Sequence, residues 1–178
     1  MREIADAQGF VNAQKRDSQD ICFLPDGDYP SFIEAFTGKT PEDGDFLDTD
    51  GNVIGRHKGQ ERYTIGQRKG LGVGFGKPMY VLSKDVLNNT VTLCEDEELF
   101  TNALDAADFN WIASDDIPAS LDITAKIRYN HTAQPAVIHR TGDTTAKIRF
   151  KTPQRAITRG QAVVVYDGEY VIGGGRIS

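Results

Sequence analysis

The sequence predicts a mainly β protein: a small β-rich central module followed by a C-terminal β-barrel of six or seven strands. Three observations carry this. Helix signals end at about Phe36; from Asp45 onward short apolar runs alternate with turn dipeptides; and the last third shows strict period-two alternation of apolar and charged residues.

Taken in order, residues 2–8 read as a short helix ended near Gly9. Asp28 is placed as the N-cap of a second helix, Tyr29 to Phe36, with Pro30 tolerated in its first turn and Gly38 closing it. Turns follow at Asp50-Gly51, Asn88-Asn89, Thr141-Gly142-Asp143 and Asp167-Gly168. In LDITAKIRY, Leu121, Ile123, Ala125, Ile127 and Tyr129 fall on one face and Asp122, Thr124, Lys126 and Arg128 on the other. TTAKIRFK repeats the pattern, with Ala146, Ile148 and Phe150 inward and Lys147, Arg149 and Lys151 outward. With Met79–Lys84, Thr90–Cys94, Ala136–Arg140, Ala162–Tyr166 and Tyr170–Gly173 these supply the strands of a small closed barrel, expected over residues 78–178. Residues 25–77 are assigned to the central module, bounded by the glycine-rich GLGVGFGKP. Residues 1–24 hold too little apolar content to fold alone and read as the tail of another domain.

Composition narrows the function classes. No apolar run reaches the roughly 18 to 20 residues of a membrane helix, and MREIADAQGF has no secretory signal pattern, so a cytoplasmic protein is expected. Two distant cysteines and three scattered histidines suggest neither a metal site nor a disulfide framework. The net charge of -6 argues against indiscriminate nucleic-acid binding, but it is unevenly distributed. Residues 1–120 carry 11 Lys and Arg against 22 Asp and Glu, whereas residues 121–178 carry 9 against 4. Between Arg56 and Lys77, six basic residues face Glu61 alone. Two basic islands in an acidic chain fit a localised polyanion site.

Several motifs dissolve on inspection. In KGLGVGFGKP, Leu71 stands where a Walker A loop needs its first glycine and Pro78 where it needs a hydroxyl. Asp48, Asp50 and Asn52 imitate a calcium loop, but Val53 and Gly59 replace its glycine and closing glutamate, and a hairpin turn is the better reading. YTIGQRKGLGVG joins Gln67, Arg68 and Lys69 to glycines that permit close approach of a phosphodiester backbone; a solvated basic loop is the alternative, and both stay open. Lys126, Arg128, Lys147, Arg149 and Lys151 suit phosphate contacts or simple solubility. Tyr129 could stack on a base, though alternation places it in the core. Cys94 reads as structural. Cys22 lies among Asp17, Asp20, Asp26 and Asp28, which would raise rather than lower a thiol pKa, so local chemistry leaves its role open.

Four segments, in order, carry a larger signal: DSQDICFLPDGDYPSFI, HKGQERYTIGQRKGLGVGFGKPMYVL, AKIRYN and PQRAITRGQAVVVYDGEYVIGGGRI. Together they resemble the C-terminal half of the tRNA-specific 2-thiouridylases, the MnmA/TrmU family. The resemblance implies a barrel similar to domain 2 of translation elongation factors and an ATP-dependent sulfurtransferase that makes 2-thiouridine at the tRNA wobble position. It implies that a PP-loop domain preceding this region binds ATP with Mg, adenylates the uridine C2 oxygen and holds a second cysteine that pairs with the first. Cys22 matches the persulfide cysteine, which receives sulfur from a relay donor protein. Arg128, Tyr129 and Gln161 match tRNA-contacting positions, and Gln67, Arg68 and Lys69 are a further candidate contact. Arg159 stands where proline is common. Lacking the PP-loop signature, this chain alone is expected neither to bind ATP nor to thiolate tRNA, and to keep tRNA binding. The alternative is a non-catalytic β-barrel module for RNA or protein, with Cys22 merely packed.

Overall fold

The computed structural model describes residues 2–10, 29–112 and 118–178, so Cys22 and the Asp28 cap lie outside the described residues. The chain divides into two units, Met1–Pro41 and Glu42–Ser178. The first contains helices α1 (Arg2–Ala7) and α2 (Tyr29–Thr37). Helix α2 ends where sequence placed its stop: the Gly38 amide donates to the Glu34 carbonyl at 2.9 Å, and the Thr37 hydroxyl donates to the Ile33 carbonyl.

Among the described residues the second unit holds ten strands: β1 (Gly44–Leu47), β2 (Val53–His57), β3 (Tyr80–Asp85), β4 (Thr90–Cys94), β5 (Phe100–Trp111), β6 (Ser120–Lys126), β7 (Gln134–Arg140), β8 (Ala146–Arg155), β9 (Ala162–Asp167) and β10 (Tyr170–Ile177). They form a four-stranded sheet, β2-β1-β4-β3, and a closed barrel, β10-β5-β8-β7-β6-β9. Barrel closure removes the unpaired edges an open sheet would expose. The β1–β2 turn is the expected hairpin: the Asp48 carboxylate accepts from the Asp50 and Asn52 amides at 3.0 and 2.8 Å.

The barrel core follows the alternation. Ile123 and Ala125 of β6, Ile138 of β7, Ile148 and Phe150 of β8, and Val163 and Val165 of β9 are buried together. Each larger side chain there contributes about 1.5–3 kcal/mol by leaving water. The sheet has its own core, in which Phe46 meets Tyr63 and His57 edge-on at 5.2 and 5.4 Å.

Three expectations need correction. The strands at 80–85 and 90–94, assigned to the barrel, belong to the small sheet, where β4 pairs with β1 in parallel and β3 with β4. The barrel therefore starts at Phe100, and its strand count is restored by β5, which alternation missed. Buried positions in β5 run Leu104, Ala106, then Phe109, because Asp108 sits at φ 51° in a bulge that shifts the phase by one residue. The partner strand accommodates the bulge with glycine: a Cβ on Gly173 would lie 2.4 Å from the Asn110 carbonyl oxygen, and one on Gly175 2.8 Å from that of Ala107. Finally, Tyr129 is not core. Strand β6 ends at Lys126 and the chain turns, with the His131 amide donating to the Arg128 carbonyl at 3.0 Å, which leaves Tyr129 76% exposed.

Candidate nucleic-acid interface

Three segments far apart in sequence meet around one residue, Ala156. It adopts φ 53°, a conformation that costs a non-glycine residue about 1–2 kcal/mol. The first segment is the loop at 64–69. The Gly66 amide donates to the Val81 carbonyl at 2.7 Å, and a Cβ on Gly66 would lie 2.9 Å from Ala156 Cβ, so the loop backbone rests directly on that methyl group. The second is the turn at 128–131: Arg128 Nη2 donates to the carbonyls of Arg155 and Ala156, both at 2.9 Å. The third is 156–161 itself, where the Thr158 hydroxyl donates to the Ala156 carbonyl. Its far end is pinned to β10 by the Gly160 amide to Ile177 O and the Ile177 amide to Gln161 O, each 2.8 Å. Ala156 is held in turn by its own amide, which donates to Leu99 O at 2.8 Å.

The sequence-predicted residues now take different roles. Arg68, Lys69 and Gln161 are exposed on these segments. Gln67 is occupied within its own turn, its Oε1 accepting from the Thr64 amide and its Nε2 donating to the Lys69 carbonyl, both at 2.9 Å. Arg128 spends Nη2 on backbone carbonyls. Tyr129 is displayed by the turn that Arg128 anchors, with Lys126 Nζ 5.7 Å from its ring centroid. Tyr129, Lys126, His131 and Tyr166 line a cleft of about 480 Å³, and His131 also borders a second cleft of about 590 Å³ with Arg128 and Arg155. The His131 pKa is held below the usual value first by burial and then by the Arg128 charge, against a hydrogen bond with Gln154 that raises it.

Ion pairing decides which cations remain available. In the first basic island Arg56 pairs with Asp45, Lys58 with Asp43 and Lys77 with Glu95. On the barrel Lys147 pairs with Asp105 at 3.6 Å and Lys151 with Asp122 at 3.2 Å, so two of the strand cations expected to face phosphate have carboxylate partners. Arg68, Lys69, Lys126 and Arg159 form no ion pair among the described residues, and all four lie on or beside the segments gathered at Ala156.

Sequence reasoning missed Ala156, Arg155, Asp96 and His131. Arg155 lay within the PQRAIT segment but nothing marked it; it forms two hydrogen bonds to Asp96 Oδ1, from Nε at 3.0 Å and Nη2 at 2.8 Å, and stacks its guanidinium over Tyr80 at 5.1 Å. Cys94 is the packed thiol expected: it is 1% exposed among Leu99, Ala156, Ile65, Tyr80 and Leu82, and burial, then the Glu98 charge, push its pKa up to about 11. Among the described residues no group of three or more His, Cys, Asp or Glu side chains could hold a metal ion. No helix among the described residues is long and apolar enough to cross a membrane.

A four-stranded sheet thus stands beside a closed six-stranded barrel, with unpaired cations and an exposed tyrosine on the segments gathered at Ala156. Residues 30–95 match the family described as tRNA methyl transferase PRC-barrel domain, and residues 101–177 the aminomethyltransferase β-barrel domain. The chain is 50% identical over 177 residues to the tRNA-specific 2-thiouridylase MnmA of Clostridioides difficile, covering 99% of this chain and 49% of that protein. It is 48% identical to the MnmA of Acetivibrio thermocellus, with the same coverage, and 45% identical to that of Lachnoclostridium phytofermentans, covering 50% of the relative. The chain belongs to the tRNA-specific 2-thiouridylase family and spans about half the length of the relatives it matches.

Proposed function

We propose that this chain is the tRNA-engaging and sulfur-accepting part of a tRNA-uridine 2-sulfurtransferase acting in the cytoplasm. The observation that supports it is the gathering of Arg68, Lys69, Lys126, Tyr129 and Arg159 at Ala156, on a chain whose relatives are 2-thiouridylases. Unpaired cations take phosphates, and an exposed tyrosine offers a stacking face to an unpaired base. Gln161, in the turn pinned to β10, adds an amide that can donate and accept.

Cys22 is the sulfur acceptor in this reading. Its thiolate attacks the outer sulfur of a donor protein's persulfide; the donor S–S bond breaks, a new S–S bond forms on Cys22, and the donor leaves as a thiol. The outer sulfur of Cys22 then attacks C2 of a uridine whose oxygen has been activated as an adenylate, and AMP departs. A second thiol, which the family resemblance places in the PP-loop domain, attacks the Cys22 sulfur; it forms a disulfide with Cys22 and releases 2-thiouridine. Activation falls to the PP-loop domain that the family resemblance implies.

Two measurements test this. Binding of a tRNA transcript with a wobble uridine is expected to weaken with salt, with a log–log slope between about -3 and -4 for four cations; no binding, or binding independent of salt, overturns the RNA role. Incubation with a persulfide donor, followed by peptide mass spectrometry, is expected to add one sulfur to Cys22 and none to buried Cys94. Salt-dependent RNA binding without sulfur on Cys22 would leave the non-catalytic RNA module as the function.

A further inference from the structure

The small sheet and the barrel each contribute part of the interface, and one side chain ties them together. Arg155, at the end of β8, bonds through its guanidinium to Asp96, in the short 3-10 turn Asp96–Leu99 that follows β4, and covers Tyr80 of β3. Through its carbonyl it accepts from Arg128, which anchors the turn displaying Tyr129. Its Nη1 also lies 3.4 Å from where a Cβ of Gly66 would stand, at the base of the loop carrying Arg68 and Lys69. Arg155 thus touches the supports of both halves, and its charge is matched by Asp96 rather than turned outward.

Building on the RNA-binding reading, we propose that Arg155 is a positioning residue: clamped by Asp96, it fixes the 64–69 loop of the sheet against the 128–131 turn of the barrel, so that one RNA molecule meets Arg68 and Lys69 together with Tyr129. Two contacts held in fixed register bind as one, because the second engages at high effective concentration once the first has formed. If the register loosens, each contact acts alone.

Charge separates this role from a direct phosphate contact by the sign of one effect. Asp96→Asn removes a negative charge beside the interface. Were Arg155 itself the phosphate ligand, freeing it would tighten tRNA binding; as a clamp, its loss of anchor weakens binding, by about tenfold. Weakening alone could reflect a less stable fold, so the second readout is coupling. In the parent chain the effects of Lys69→Ala and Tyr129→Ala on tRNA affinity are expected to be strongly non-additive; in Asp96→Asn and in Arg155→Ala they are expected to become additive within about twofold. A loss of global stability would leave that coupling intact in the folded molecules.

The third readout needs no RNA. Amide exchange at Gly66 and His131 is expected to rise together, by about tenfold or more, in Arg155→Ala, while Ile148 and Val163 in the barrel core stay protected. Arg155→Lys, which keeps one bond to Asp96, is expected to restore most of the protection. Tighter binding by Asp96→Asn, coupling that survives in both variants, or unchanged exchange at Gly66 and His131 would each overturn the clamp. If the parent chain failed to bind tRNA, the RNA reading would fall, and the exchange experiment would still decide whether Arg155 fixes the two segments.

Discussion

Gly66→Ala probes the contact on which the interface depends. The new Cβ would stand 2.9 Å from Ala156 Cβ, an atom attached directly to backbone and unable to swing away, and Gly66 has φ 83°. The left-handed backbone costs alanine about 1–2 kcal/mol. Forcing the two methyl groups apart adds about 1–3 kcal/mol. The total, about 2–5 kcal/mol, is a large share of the 5–15 kcal/mol by which domains of this kind are usually stable. With a urea m-value of about 2 kcal/mol/M, the midpoint is expected to fall by about 1–2.5 M. Gly74→Ala is the control in the same glycine-rich region: its φ is ordinary for any residue and nothing lies within 4 Å of the added Cβ. It is expected to be neutral or to stabilise by up to about 1 kcal/mol. Adding Ala156→Gly to Gly66→Ala removes the opposing methyl, and the cost of alanine at 66 should drop to the backbone part alone. Equal urea midpoints for Gly66→Ala and Gly74→Ala would refute the packing of the 64–69 loop on Ala156, and with it the interface as described.

Tyr129→Ala is expected to weaken tRNA binding by the worth of one base stack, about 1–3 kcal/mol, with the urea midpoint unchanged because the ring is exposed. His57 is buried and neutral: its Nδ1 accepts from the Gly59 amide at 3.1 Å and its Nε2 donates to the Asn89 carbonyl at 3.1 Å, and burial holds its pKa below the usual value. The unfolded chain therefore binds the proton first, so stability is full above the ordinary histidine pKa of about 6.5 and declines as pH falls below it. Urea midpoints between pH 7.5 and 5.5 should show that slope, and His57→Gln should reduce it, leaving the part that His131 contributes. Cys94 should resist alkylation at pH 8 in the folded chain and react at once in urea; rapid labelling of the native protein would contradict its burial.

What the sequence disclosed, and what it withheld, follows from the range of the forces involved. Strands β6 and β8 were legible because each side chain's face is a local property of the strand pleat. The β3–β4 hairpin was legible as strands but not as to its sheet, since its partner β1 lies some 45 residues away and pairs in parallel. Strand β5 was hidden because the bulge at Asp108 breaks the period on which recognition rests. Tyr129 was misplaced because the strand stops three residues before it. For the interface, the motif residues could be named from sequence, but their meeting point could not. Alanine carries no chemical signal, and its φ of 53° is imposed by Leu99, Arg128 and Gly66 from three other parts of the chain.

The same non-local pairing resolves how a chain of net charge -6 can present a polyanion site. Counting basic residues along the sequence suggested two islands and exposed strand faces of nearly equal promise. In the fold, carboxylates from neighbouring strands and loops neutralise Arg56, Lys58, Lys77, Lys147 and Lys151, while Arg62, Arg68, Lys69, Lys126, Arg149 and Arg159 form no ion pair among the described residues; of these Arg68, Lys69, Lys126 and Arg159 lie on or beside the segments gathered at Ala156. Such exposed pairs add little stability, typically about 0.2–1 kcal/mol, so their larger effect is on the field. At physiological salt, screening confines each charge to about 8 Å, and a paired cation offers little attraction beyond that distance. Repulsion from the acidic remainder of the surface and attraction at the four unmatched cations gathered at Ala156 then act together. On the proposed RNA role, an RNA is expected to be drawn to that cluster and held weakly elsewhere, so that a chain of net negative charge favours one defined site over indiscriminate binding.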